Sequence, residues 1–257
     1  MEAAARLARI AGFCQTPFTE AAPLLFRGAV PNPGAFFSEH TIAQLITSDA
    51  LRTRHKQFRD RQFIDPARHP DEYSIGGFAR SRAAGTSVVY RAVQRIPGPV
   101  RDTCVAIAQD SYWATVHAVS VETPASVQTL TRHWDVSPVM AVQVAGRKVW
   151  DVWPPIAEVC DETMTVETVH ERGDGDRFTD AELTDMDAAG PYSSVVLEPG
   201  DVYIIPAGWV HAPFAVYPGT HSRHGVDGAS LHVSICPLPQ LVVDYFGNED
   251  HQLSLAP

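Results

Sequence analysis

Six short runs rich in Val, Ile and aromatic residues succeed one another after His133: VMAVQVAG, RKVWDVWPP, SSVVLEPGD, VYIIPAGWV, HAPFAVYPG and ASLHVSICP, each closed by a Gly or Pro turn. Strands this short can bury an apolar face only against one another, which predicts a mainly β sandwich or barrel. The preceding part, about 1–120, reads as mixed. MEAAARLARIAGF has the pattern of a short helix rather than of a secretory signal, and an extended segment is expected from Pro23 to Val30. FSEHTIAQLITSDAL places Ile42, Leu45 and Ile46 at helical spacing behind Ser38, a helix-capping residue. After a break at Pro97 to Pro99, VRDTCVAIAQDSYWATVHAVSVETP begins as a helix and ends as a strand.

With 257 residues, 45% of them hydrophobic, the chain can bury a substantial core. The expectation is one domain over 1–257, with its barrel core at about 121–237 and one interruption at 156–194. Between Ile156 and Ser194 stand eleven acids against two bases, which accounts for most of the net charge of −10 and predicts a solvated insertion. That charge argues against a phosphate-backbone binder, so no nucleic-acid partner is expected. No run of roughly 20 apolar residues offers a membrane span. Four scattered cysteines without a CxxC pair suggest neither a disulfide framework nor a thiolate zinc site, and a cytoplasmic location is expected.

Two motifs carry the chemistry. In HWD, His133 and Asp135 are two apart, so an extended backbone turns both to one face. In GDVYIIPAGWVH, glycine and proline turns between two strands aim His211 inward. Two histidines and one carboxylate form the facial triad that leaves positions open on non-haem Fe(II). Taken alone, an HxD pair is more often a strand-edge hydrogen bond, and the same three ligands suit a zinc hydrolase. A third feature is Lys148, one of only two lysines against eighteen arginines. Period-2 alternation puts it on the face of Trp150 and Val152, where a cation awaits a carboxylate; the alternative is a lysine snorkelling from the barrel mouth.

The run ETPASVQTLTRHWDVSPVMAVQVAGRKVWDVWPP, with LEPGDVYIIPAGWVHAPF and ASLHVSICP, resembles the JmjC-type 2-oxoglutarate oxygenases of the cupin superfamily, above all the ribosomal-oxygenase branch. The resemblance implies a double-stranded β-helix (a jelly-roll, cupin-type barrel) with N-terminal and flanking helices. It implies Fe(II) held by His133, Asp135 and His211, and 2-oxoglutarate paired through its distal carboxylate with Lys148. It also implies chemistry in which O2 and 2-oxoglutarate are consumed, succinate is formed and a C–H bond is hydroxylated. His232 and Ser234, on one face of the last strand, are candidates to hydrogen-bond 2-oxoglutarate or the groups around it. Ribosomal oxygenases continue past the barrel into a dimerisation region and a winged helix, whereas Gln240 to Pro257 alone follow the last strand here, so a minimal form is expected and the oligomeric state stays open.

The expected substrate is an amino-acid side chain in a peptide or protein, or a free or carrier-bound amino acid; the acidic insertion would favour a cationic one. The alternatives are a small-molecule hydroxylase of secondary metabolism, an N-demethylase, and, from another class, a non-catalytic metal-binding cupin module. Trp134, Trp150, Trp153 and Trp209 are expected to pack the barrel, and His221 and His224 to lie in a polar loop. The acids of DGDRFTD, from Asp174, lack calcium-loop spacing.

Overall fold

The computed structural model describes residues 2–15, 22–47, 55–59, 62–64, 66–109, 113–125, 128–135, 137–156, 178–215 and 229–239. Its strands are β1 (Leu24–Phe26), β2 (His55–Arg59), β3 (Gln62–Phe63), β4 (Ser87–Arg91), β5 (Trp113–Thr123), β6 (Val139–Ala145), β7 (Lys148–Trp153), β8 (Ser193–Leu197), β9 (Val202–Ile205), β10 (Val210–Ala215) and β11 (Ser230–Pro239). The helices are α1 (Glu2–Ala11), α2 (Pro33–Phe36), α3 (Glu39–Thr47), α4 (Ile75–Ala83), α5 (Pro99–Ala108) and α6 (Asp180–Ala189). None is long and apolar enough to cross a membrane.

Two antiparallel sheets face each other. The larger has the order β1-β9-β6-β11-β5-β4-β2-β3 and the smaller β10-β7-β8. Residues 128–133 extend the small sheet beyond β10 through isolated bridges at Gln128 with Phe214 and His133 with His211. This two-layered wrap is the double-stranded β-helix.

The sequence pattern follows from which faces are covered. β6 and β9 lie in the large sheet with both faces buried, so they read as continuous apolar runs. On one side Met140, Val142, Ile204, Val233 and Ile235 pack with Leu7 and Ile10 of α1 and Val100, Cys104 and Ile107 of α5. On the other, Val139, Ala141, Tyr203, Ile205 and Cys236 meet Trp150, Val152 and Leu197 of the small sheet. β7 has only one fully covered face, and its burial alternates from Lys148 onward.

Turn chemistry fixes the register. Gly146, between β6 and β7, has φ +62°, and a Cβ there would stand 2.3 Å from the Ala229 carbonyl oxygen. At the same end of the barrel, where Arg147 pairs with Glu198, the Asp201 carboxylate accepts hydrogen bonds from the Gly28 N–H (2.9 Å) and the Glu198 N–H (3.0 Å), and pairs with Arg27. It thereby ties the entry strand β1 to the β8–β9 turn.

Two expectations need correction. The insertion at 156–194 is not loop throughout. Residues 157–177, with Asp174 and Asp176, lie outside the described residues, but α6 is a capped helix in which the Thr179 hydroxyl accepts from the Glu182 N–H and Glu182 returns the bond to the Thr179 N–H. Its Met186 and Leu183 join Phe178 against Trp134, Trp153, Val210 and Ala212 on the outer face of the small sheet. Apolar burial, invisible beneath the acid count, docks it there. The mixed N-terminal part also contributes more than helix and loop, since β4, β2 and β3 widen the large sheet by three strands. β2 and β4 mix charged and apolar residues because one face of each, with Lys56, Val89 and Arg91, stays exposed or half exposed, which blurred the pattern that would have announced them.

Candidate metal and cosubstrate site

His133 and His211 stand opposite each other as a hydrogen-bonded antiparallel pair, the His211 N–H donating to the His133 carbonyl at 2.8 Å and the His133 N–H to the His211 carbonyl at 3.2 Å. Directly opposed residues project to the same side, and the two rings lie 4.2 Å apart between centroids. The Gly208 N–H, in the Pro206–Gly208 turn, donates to the Asp135 carbonyl at 2.9 Å, which anchors the HWD segment to the turn preceding His211. One ligand atom from each of His133, Asp135 and His211 lies within 4.8 Å of the others. The two sequence motifs are thus joined by backbone bonds, and their side chains converge.

The tautomers suit a cation. His133 Nδ1 is 2.8 Å from the Thr131 carbonyl and His211 Nδ1 is 3.0 Å from the Trp209 carbonyl. A carbonyl can only accept, so each Nδ1 carries a proton, and it is Nε2 that is left to offer a lone pair to a metal. His211 Nε2 points at Asp135 Oδ2, 3.5 Å away. Burial and the neighbouring His133 ring lower the His211 pKa to about 4, against the opposing pull of Asp135, so it is neutral at physiological pH. Two imidazoles and a carboxylate on one side of a point, with His133 and Asp135 half exposed, form a donor set that fits a divalent ion with open positions.

Deeper between the sheets, Lys148 is fully buried. Its ammonium donates to Thr123 Oγ1 at 2.8 Å and meets His232 Nδ1 at 3.1 Å. The Thr123 hydroxyl in turn meets that of Thr129 at 2.7 Å. No carboxylate among the described residues pairs with Lys148, and desolvation lowers its pKa to about 7. His232 is pushed well below its ordinary value by burial, then by Lys148 and His211. The neutral ring therefore receives the lysine proton on Nδ1. The Trp150 indole spans the interval, 5.9 Å from the His211 ring and 5.2 Å from that of His232. A buried cation with only neutral partners fits an anionic group entering from the metal side.

Of the sequence candidates, His232 reaches Lys148, whereas Ser234 shares its face without a hydrogen bond to that lysine among the described residues. All four of the tryptophans singled out are buried. Trp150 and Trp209 lie between the sheets, while Trp134 and Trp153 pack under α6. His221 and His224 lie outside the described residues. Thr123 and Thr129 were missed; a threonine closing a β strand gives no signal until the partner sheet is in place. A cleft of about 500 Å3 on the reverse face of the small sheet, lined by Asp151, Trp153, Phe178 and Phe214, is separate from this site.

A double-stranded β-helix holding a His-x-Asp and a later His at its mouth defines a cupin-type metalloprotein. More narrowly, the chain belongs to the JmjC domain family, whose profile matches residues 101–232. It is 32% identical over 129 residues to the bifunctional lysine-specific demethylase and histidyl-hydroxylase NO66 of Caenorhabditis elegans, a match covering 50% of this chain and 15% of that protein. With ribosomal oxygenase 1 of Gallus gallus it shares 28% over 120 residues, 47% of this chain and 18% of the other. The chain thus matches only a small part of the length of these relatives. Among solved structures, that of Escherichia coli ycfD aligns at TM-score 0.53 and 14% identity over 90% of this chain and 53% of that one. The complex of YcfD, a ribosomal oxygenase from Escherichia coli, with cobalt and succinic acid aligns at 0.52 and 16%, over 84% and 47%. At these identities the likeness establishes the fold.

Proposed function

We propose that the chain is an Fe(II)- and 2-oxoglutarate-dependent oxygenase that hydroxylates a C–H bond of an amino-acid side chain in a peptide or protein. The observation that carries this reading is the pairing of two features between the same two sheets, spanned by Trp150: the convergent His133, Asp135 and His211, and the buried Lys148, which no carboxylate among the described residues pairs. A zinc hydrolase would account for the first and leave the second without a purpose.

In this reading His133 Nε2, Asp135 and His211 Nε2 hold Fe(II), which with 2-oxoglutarate and O2 supplies the oxidising power for hydroxylation. Lys148 takes the distal carboxylate of 2-oxoglutarate, with Thr123 and His232 fixing the direction of its ammonium. Trp150 and the inter-sheet apolar residues keep the cavity dry, which strengthens that charge pairing. The half-exposed His133 and Asp135 face the side from which substrate enters.

The test is anaerobic titration of the apo-protein with Fe(II) and then 2-oxoglutarate, followed by the weak visible absorption of the chelate. Wild type is expected to develop the band, and His211→Ala and Asp135→Ala to lose it while keeping a folded far-UV spectrum. A His211→Ala protein with unchanged band and turnover would overturn the assignment. A second reading, N-demethylation, draws on the double name of the nematode relative; formaldehyde released in step with succinate would favour it over hydroxylation. Bound metal without succinate formation would return the chain to the binding-module class.

A further inference from the structure

The floor of the cavity does not stop at its mouth. In the large sheet, His232 of β11 stands opposite Val121 of β5, Val121 opposite Val89 of β4, and Val89 opposite Lys56 of β2. One register step along, Ser234 stands opposite Val119 and Val119 opposite Arg91. Residues paired in this way share a face, so the face that carries His232 beneath Lys148 continues outward as Val121, Val119 and Val89 to Arg91 and Lys56. Among the described residues the small sheet does not follow it. Its edge is the 128–133 segment, whose Thr129 meets Thr123 on β5, so β4, β2 and β3 project past that edge. The burial record agrees, with Val89, Val119 and Val121 half exposed and Arg91 and Lys56 exposed, although the opposite faces of the same strands, at Val88, Tyr90, Ala118 and Ser120, are buried.

Two arguments narrow what this ledge takes. From β11 to β2 there are three strand spacings, roughly 14 Å. A ligand lying along this face from His232 past Arg91 and across β2 therefore has the span of about four extended residues, more than a free amino acid offers. The charge is of one sign. The ledge bears Arg91, and its described strands place no Asp or Glu on that face; Glu122 points to the other side and meets the Tyr90 hydroxyl. No ion pair holds Arg91 among the described residues.

We propose that this ledge is the substrate-docking surface and that Arg91 is a specificity-determining residue selecting an acidic peptide, with Asp or Glu a few residues from the oxidised side chain. The proposal rests on the oxygenase reading for what happens at the metal, but its binding arm is independent of turnover. It also reverses the cationic preference expected from the acidic insertion.

The experiment uses two fluorescein-labelled degenerate dodecapeptide pools, identical except that one carries Glu and the other Lys at the same two positions. Anisotropy is measured with protein loaded with Mn(II) and 2-oxoglutarate. The Glu pool is expected to bind about fivefold more tightly, a preference that shrinks with added salt. Arg91→Glu, an exposed substitution compatible with folding, should invert the order. Arg147→Glu, whose arginine pairs with Glu198 at the start of the other sheet, should leave it intact. Pools that bind alike or not at all, or an order that survives in Arg91→Glu, would overturn the proposal. Selective binding without the Fe(II)/2-oxoglutarate band would keep the ledge and discard the oxygenase, whereas the band without selective binding would do the reverse.

Discussion

Lys148 concentrates the conflict between stability and function in one side chain. Its pKa in the folded protein, about 7, lies below the ordinary lysine value of 10.5, so between those values the unfolded chain binds the extra proton. Stability of the ligand-free protein should therefore rise with pH across that window and be lowest beneath it. Lys148→Met removes the buried cation without leaving a charged partner behind. It is expected to stabilise the apo-protein near neutral pH by on the order of 2 kcal/mol in urea unfolding, while 2-oxoglutarate affinity falls roughly thirtyfold or more. The wild-type affinity for 2-oxoglutarate should also weaken as pH rises above about 7, because binding must then recruit a proton; calorimetry in buffers of different ionisation enthalpy would register the uptake. Asp201 behaves in the opposite sense. Burial raises its pKa, but the bonds from Glu198, Gly28 and Arg27 outweigh that and hold it below 3.8, so its contribution is present above the ordinary carboxylate range and lost as pH falls through the lowered value.

At the scale of elements, the turns and caps set the register on which the site depends. Gly146→Ala would force a Cβ into the Ala229 carbonyl at a positive φ, and is expected to cost about 2 kcal/mol or more and to lower metal affinity with it, since β7 carries Lys148 and aligns β10. Thr179→Ala removes the α6 cap and should cost about 1 kcal/mol in thermal unfolding while leaving the Fe(II) titration unchanged, because α6 packs on the reverse face of the small sheet. These elements also mark what the sequence disclosed. The six runs after His133 correspond to β6 through β11, Ser38 accepts the Thr41 N–H at the start of α3, and His133, Asp135 and His211 converge. Local spacing determines the strands, the cap and the shared face of His133 and Asp135, while the meeting of that pair with His211 was legible from the two motifs occurring together in one β-rich chain. The β2–β4 ledge and the Thr123–Lys148–His232 contact were hidden because they arise from pairing between segments remote in sequence, and no local periodicity encodes that pairing.

Across the whole molecule, the site is shared between layers: Lys148 and His211 come from the small sheet, Thr123 and His232 from the large one. Anything that binds between them favours the closed sandwich over the unfolded chain. Saturating Mn(II) with 2-oxoglutarate at a hundredfold excess over its dissociation constant should add about 2.7 kcal/mol, visible as a raised Tm, and Asp135→Ala should abolish most of the gain. An unchanged Tm in wild type would mean that no ligand bridges the layers.

The backbone pair formed by His133 and His211 has a bearing on quality control. In a β strand, a slip of one residue carries every side chain to the other face. A β10 misaligned by one position would turn His211 away from His133 and toward the Trp153 and α6 side, dispersing the donor set. Under the proposed function only a correctly registered barrel would retain the ion, so iron loading would proofread folding: a misassembled copy would also be a metal-free one.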